Sequence, residues 1–286
     1  TKTGSVTVST AVITIAATGN ITLQTGGNIA INSALTVGDT GTGASKNLTL
    51  NGAGNGSTSS AISQTQTAAI KAAGLELLGT NATHTLNASD NNIRKLASKT
   101  GTISLTNKGD LEISSVNTSG VTATGNVLIT TTNNAGSTPG NLTLKKNITA
   151  ANVDLNTAGA VLRDAALSTD GIINASLLRM KAGSGIGKSD SRIKTDVTTL
   201  SMESIADQYV TEASAVTVAA KSVSGNVNID ATTGAVTVGS STTVNGGTAM
   251  NGISAATGIN ITAQAGNLNI NQAINNATSG DVVLGA

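Results

Sequence analysis

One five-residue pattern, glycine, asparagine, apolar, any residue, apolar, returns along the whole chain. It occupies Gly19 to Leu23, Gly27 to Ile31, Gly125 to Ile129, Gly140 to Leu144, Gly225 to Ile229 and Gly266 to Ile270. Each unit reads as a turn feeding a short strand whose alternate side chains are buried. Strands this short would need tight two-residue turns to pair as hairpins. Asn51-Gly52, Asn55-Gly56, Asn245-Gly246 and Asn251-Gly252 exist but do not fall at hairpin spacing. A glycine before each strand instead marks the corner of a coil. The pattern therefore predicts an all-β parallel solenoid (a β-helix) with coils of roughly twenty residues. Equivalent strands stack on one another and satisfy the backbone between coils. Outward Thr, Ser and Asn form polar ladders.

A longer repeat lies over the short one. The strands Ser5 to Val8, Asp110 to Ile113 and Ala215 to Val218 open three blocks, 4–108, 109–213 and an incomplete 214–286. Together they predict one continuous solenoid over residues 1–286. Three stretches read as excursions: Asp39 to Lys46, Thr131 to Gly140 with the single Pro139, and Thr65 to Ala73. The alanines of the last, ahead of Gly74, predict a short helix or a protruding loop.

Composition narrows the chemistry. Phe and Trp are absent and Tyr209 is the one aromatic residue, so the core must be aliphatic. A net charge of +1 gives no electrostatic reason to bind nucleic acid or an anionic membrane. Without cysteine there are no disulfides or thiolate metal sites. No segment is apolar for long enough to span a bilayer. The chain begins at Thr1 with no signal peptide and its repeats run into both ends, so an internal segment of a larger protein is expected.

Few residues invite catalytic roles. Ala182 to Ser189 (AGSGIGKS) fits a relaxed phosphate-loop pattern, but Asp190 to Leu200 after it reads as strand where a phosphate loop needs a helix. His84, the one histidine, sits in an alternating polar stretch and is expected to face solvent. Asp164, Asp170, Asp190, Asp196, Glu203, Asp207 and Glu212 are interleaved with Arg163, Arg179, Lys181, Lys188, Arg192 and Lys194. Alternating signs read as solvated surface pairs. A polysaccharide enzyme built on a β-helix would add aromatic stacking platforms, and only Tyr209 is available. Asn-x-Ser/Thr sequons, among them Asn20, Asn87, Asn117, Asn141 and Asn147, either accept glycans or occupy turns. No catalytic, cofactor-binding or metal-binding residue is assigned.

Residues 17–38 (ATGNITLQTGGNIAINSALTVG), 75–116 (LELLGTNATHTLNASDNNIRKLASKTGTISLTNKGDLEISSV) and 177–218 (LLRMKAGSGIGKSDSRIKTDVTTLSMESIADQYVTEASAVTV) carry a family likeness. They resemble the repeat regions of large filamentous-haemagglutinin-like bacterial exoproteins, often exported by two-partner secretion. The resemblance implies a right-handed β-helix at the cell surface with adhesive or stalk duty and no catalysis. It also implies a receptor or glycan on a host or neighbouring cell and an outer-membrane secretion partner. Open ends of a β-helix add end-to-end self-association as a further expectation.

Overall fold

A computed structural model describes residues 4–9, 13–15, 19–38, 46–52, 60–241, 249–278 and 280–286. Asn55-Gly56, Asn245-Gly246 and positions 39–45 of the first expected excursion lie outside the described residues. The chain divides into two compact units, Thr1–Gly140 and Asn141–Ala286. Each is a parallel β-solenoid.

In the first unit, strands stack residue on residue. Val6, Ile29, Ile62, His84, Ile103 and Val127 form one inward column, each in register with the next. Ile21, Leu48, Leu75 and Leu96 form another. The alternation expected from sequence is visible in Ile29–Ile31 and Leu35–Val37, where the outer residues of each triplet are buried and the middle one is half-buried. The second unit repeats the scheme through Val153, Leu178, Leu200 and Val218. Its cores are likewise Val, Ile, Leu, Met and Ala, most of them fully buried. Coil length varies widely: Ile193 pairs with Val210, 17 residues on, whereas Leu35 pairs with Ile70, 35 residues on. Insertions at corners leave the stacked strands undisturbed.

The corner chemistry explains the repeating Gly-Asn. Asn20 Oδ1 accepts the Asn47 amide at 3.0 Å, Asn28 Oδ1 accepts that of Ala61 at 2.9 Å, and Asn141 Oδ1 accepts that of Ala160 at 2.8 Å. Each asparagine thus brackets the backbone of the following coil, where a turn would otherwise leave an N–H unpaired. The preceding glycine is a matter of space. A Cβ on Gly27 would lie 2.7 Å from the Gly4 carbonyl oxygen of the coil beneath. Asn20→Ala and Asn141→Ala are each expected to lower stability by about 1 kcal/mol, the net value of one such hydrogen bond. Chemical denaturation of the single variants measures this.

Two local expectations meet different fates. Thr131 and Thr132 still belong to the strand Asn126–Thr132, and the excursion follows as a short 3₁₀ turn at Ala135–Ser137. The alanine-rich stretch is not helical: it opens as an exposed turn at Gln66-Thr67, as the loop alternative expects, and then enters a strand. Ile70 opens the long strand Ile70–Leu86, and Ala68, Ile70 and Ala72 are buried at every second position. Burial of small side chains in the narrow interior overrides the helix preference of alanine. Asn91 Oδ1 secures the entry by accepting the Ile70 amide at 2.8 Å.

Candidate functional site

Most buried ionisable groups are committed to holding coils together. Glu76 accepts from the Thr49 hydroxyl at 2.9 Å, the Asn117 side-chain amide at 2.7 Å and the Thr118 backbone amide at 2.7 Å. Burial pushes its carboxyl up, but these hydrogen bonds outweigh it and the net shift is downward. In the second unit Asp154 and Arg179 stack on adjacent coils, and Arg179 Nη1 donates to both carboxylate oxygens at 2.9 and 3.0 Å. Asp154 is almost fully buried, and desolvation raises its carboxyl despite the guanidinium. Arg163 donates to the carbonyls of Leu167 and Asp170 and closes the loop between them. Arg163 and Arg179 are therefore not the solvated residues expected from alternating charges, whereas Lys181–Glu203, at 3.3 Å, and Lys146–Asp170 are half-exposed pairs of that kind.

Glu212 is fully buried without a cation beside it. Its Oε2 accepts from the Thr195 hydroxyl at 2.6 Å, and its Oε1 from the amides of Val197, Ala213 and Ser214 at 3.0, 3.1 and 3.2 Å. Desolvation raises its carboxyl above the ordinary value, with the Thr195 and backbone hydrogen bonds opposing.

His84 overturns the expectation of an exposed imidazole. It points inward between Ile62 and Ile103, fully buried, and neither ring nitrogen makes a well-formed hydrogen bond. Burial, the larger cause, pushes it down to about 4, and the nearby Leu78 backbone acts in the opposite direction. Ala82, His84 and Leu86 are all buried, so the residue takes the inward parity of its neighbours.

The phosphate-loop-like segment is a corner. Ile186 forms parallel bridges to Val161 below and Gln208 above, and the strand Ile193–Ser204 follows. Most of its amides are already engaged: Gly183 donates to Thr157, Ser184 to Gly159, Ile186 to Asp207, Gly187 to Val161 and Lys188 to Ser191. A bound phosphate would need those donors free, and a helix after them.

That corner nevertheless forms one wall of a cleft of about 450 Å³. Ala160 and Leu162 come from one coil, Ser184, Gly185 and Gly187 to Asp190 from the next, and Ala206, Asp207 and Tyr209 from the third. Tyr209 lies on the outer face, between buried Gln208 and Val210. The Arg192 guanidinium sits 5.9 Å from its ring centroid and is itself anchored on the Thr211 hydroxyl and the Val210 carbonyl, at 3.0 and 2.8 Å. Asp207 Oδ1 accepts both amides of Asn226, at 2.7 and 3.1 Å, which fixes the carboxylate at the cleft. Burial and the adjacent Asp207 raise the Tyr209 phenol.

Several sequon asparagines have their side-chain nitrogen in use. Asn117 Nδ2 donates to Glu76, and Asn87 Nδ2 to the Ser104 hydroxyl at 3.0 Å. A glycan on either would displace that bond. Among the described residues, no group of three or more His, Asp or Glu could hold a metal ion, and no helix is long and apolar enough to cross a membrane. Compared with known proteins, the chain matches no family model, no curated protein and no solved structure.

Proposed function

We propose that this β-solenoid is a structural and adhesive stalk segment of a large secreted or surface-anchored bacterial adhesin, and that it carries no catalysis of its own. The observation behind this reading is how the buried charges are used. Glu76, Glu212, Asp154 and Arg163 are each satisfied by hydroxyls, amides, carbonyls or a neighbouring charge of adjoining coils and loops. Groups that an enzyme would direct at a substrate here direct themselves at the scaffold. The likeness of the repeats to filamentous-haemagglutinin-like exoproteins agrees with it. On this reading an outer-membrane partner exports the chain, and a receptor or glycan on a host or neighbouring cell is its target. Antibody against the purified protein is expected to label intact producing cells, and deletion of the coding region is expected to reduce their attachment. Label confined to lysed cells would overturn the proposal.

Two other readings are tested alongside it. Self-association into a filament or surface layer, expected of open β-helix ends, would show as fibres in electron micrographs of the purified protein. The cleft brings Asp190, Asp207 and Lys188 together, as a polysaccharide-active enzyme would require. Release of reducing ends or unsaturated products from a panel of polysaccharides would favour that enzyme over the stalk.

A further inference from the structure

We propose that the cleft beside Tyr209 binds a neutral or N-acetylated hexose unit of a glycan. This deepens the adhesive reading by naming the chemistry of its partner, and rests on that reading only for the glycan's source on another cell.

The cleft size falls within the range of small-ligand sites. Its aromatic element is the chain's single tyrosine, placed on the outer face of the coil and stiffened by Arg192. A pyranose ring has apolar C–H patches whose partial positive charge suits the face of an aromatic ring. Its hydroxyls need acceptors and donors at the rim. Asp207 and Asp190 supply acceptors, and Lys188 supplies a donor. Asp207 is held by Asn226 in advance of any ligand, which lowers the ordering cost of binding. An apolar shelf continues beside it. Ile205 and Val223 are 52% and 57% exposed, and Ser224 donates to the Ile205 carbonyl, so the two lie on adjoining coils next to Ala206 of the cleft.

Charge selects within the sugars. Lys188 on the lining and Arg192 beside Tyr209 balance Asp190 and Asp207, so the site has no excess positive charge to select sulfated or uronate-rich chains. The turn's engaged amides leave no nest for a phosphate.

With neither Trp nor another Tyr in the chain, tyrosine emission of the full chain reports on Tyr209 alone. The test titrates galactose, glucose, mannose, N-acetylglucosamine and lactose, with heparin as the polyanion, and repeats each titration by calorimetry. At least one neutral sugar is expected to give a saturable change, unaffected by heparin. Tyr209→Ala should weaken it about tenfold or more, consistent with loss of a stacking platform, while Tyr209→Phe keeps it within about threefold. Lys188→Ala, on an exposed turn, should weaken it several-fold with the fold intact. No saturable response to any of the five sugars, unchanged calorimetric binding by Tyr209→Ala, or binding of heparin alone would overturn the proposal. Cell attachment, measured in parallel, decides the adhesive reading separately. Attachment that survives Tyr209→Ala leaves the stalk adhesive through another surface, and sugar binding without attachment leaves the cleft standing and the adhesin reading not.

Discussion

Acidification from about pH 6.5 to about pH 4 is expected to destabilise the unit of residues 1–140 by on the order of 3 kcal/mol through His84 alone. In the unfolded chain the imidazole takes its proton near 6.5; in the fold, burial holds the proton off until about 4. Between those values the unfolded state binds more protons, so stability is complete above 6.5, declines through the window and is gone below it. Glu76 acts in the same direction further down. Its folded carboxyl is depressed, so its contribution is present above its ordinary value of 4.5 and is lost as pH falls through the lowered one. The second unit has the opposite sign at its two most buried carboxylates. Asp154 and Glu212 are raised, so the folded state holds protons more tightly there and acid relieves the cost of their ionisation. Limited proteolysis in mild acid should therefore cut first within residues 1–140. His84→Ile would continue the column from Ile62 to Ile103 and remove two unpartnered polar atoms. That variant is expected to be more stable at neutral pH by about 1–3 kcal/mol, and to lose the slope between 6.5 and 4. Because the chain has a single histidine, its imidazole resonance follows the titration without assignment. A folded-state titration midpoint near 6.5 would show the ring to be solvated and would remove the basis of the prediction.

What was readable in the sequence was whatever repeats locally. The apolar-x-apolar strands, the corners marked by Gly-Asn and the parallel stacking all follow from patterns a few residues long, and the structure has them. His84 is flanked by Thr83 and Thr85, whose polarity suggests a solvated stretch although they belong to the opposite face. Ala82 and Leu86 share its face, and alternation alone would have placed it inside. Thr65 to Ala73 divides: Thr65 to Thr67 form the exposed turn that a loop would give, whereas the alanines after it enter the strand, because alanine favours helix in isolation but a narrow solenoid interior selects it for size. The cleft was not legible at all. Its residues come from three coils, and which coil lies on which depends on corner insertions that stretch the spacing from 17 to 35 residues. The register of Ile186 on Gln208, which sets the glycine-rich turn beside Tyr209, is a product of that stacking.

Glu212→Ala is expected to be the most damaging single change in the unit of residues 141–286, at about 4 kcal/mol or more. Truncation takes the acceptor from the buried amide of Val197 and the buried hydroxyl of Thr195, while the exposed Ala213 amide keeps the Thr195 carbonyl and the half-buried Ser214 amide can turn to water. Each orphaned group costs about 1–3 kcal/mol, and the cavity adds to it. Glu212→Gln separates the acceptor from the charge. Its amide oxygen can serve the three backbone N–H groups that now share Oε1, and the Thr195 hydroxyl can turn to accept from the new NH2. Burying a neutral amide avoids the desolvation that raises the carboxyl, so this variant should stay within about 1 kcal/mol of the parent. The pH profiles then differ by the contribution of this one group. In the parent, the stability held by the protonated carboxyl is present below its ordinary value of 4.5 and declines as pH rises through the elevated folded one, whereas the glutamine variant lacks that decline and keeps only the pH dependence of the other groups. Denaturant midpoints of the three proteins in acid and at neutral pH provide the comparison. Equal losses for Gln and Ala would mean that the charge itself joins the turn at Ala213 and Ser214 to the strand beneath. A near-parental Gln beside a crippled Ala would mean that this coil, like those bracketed by Asn20 and Asn141, is held by a well-placed acceptor.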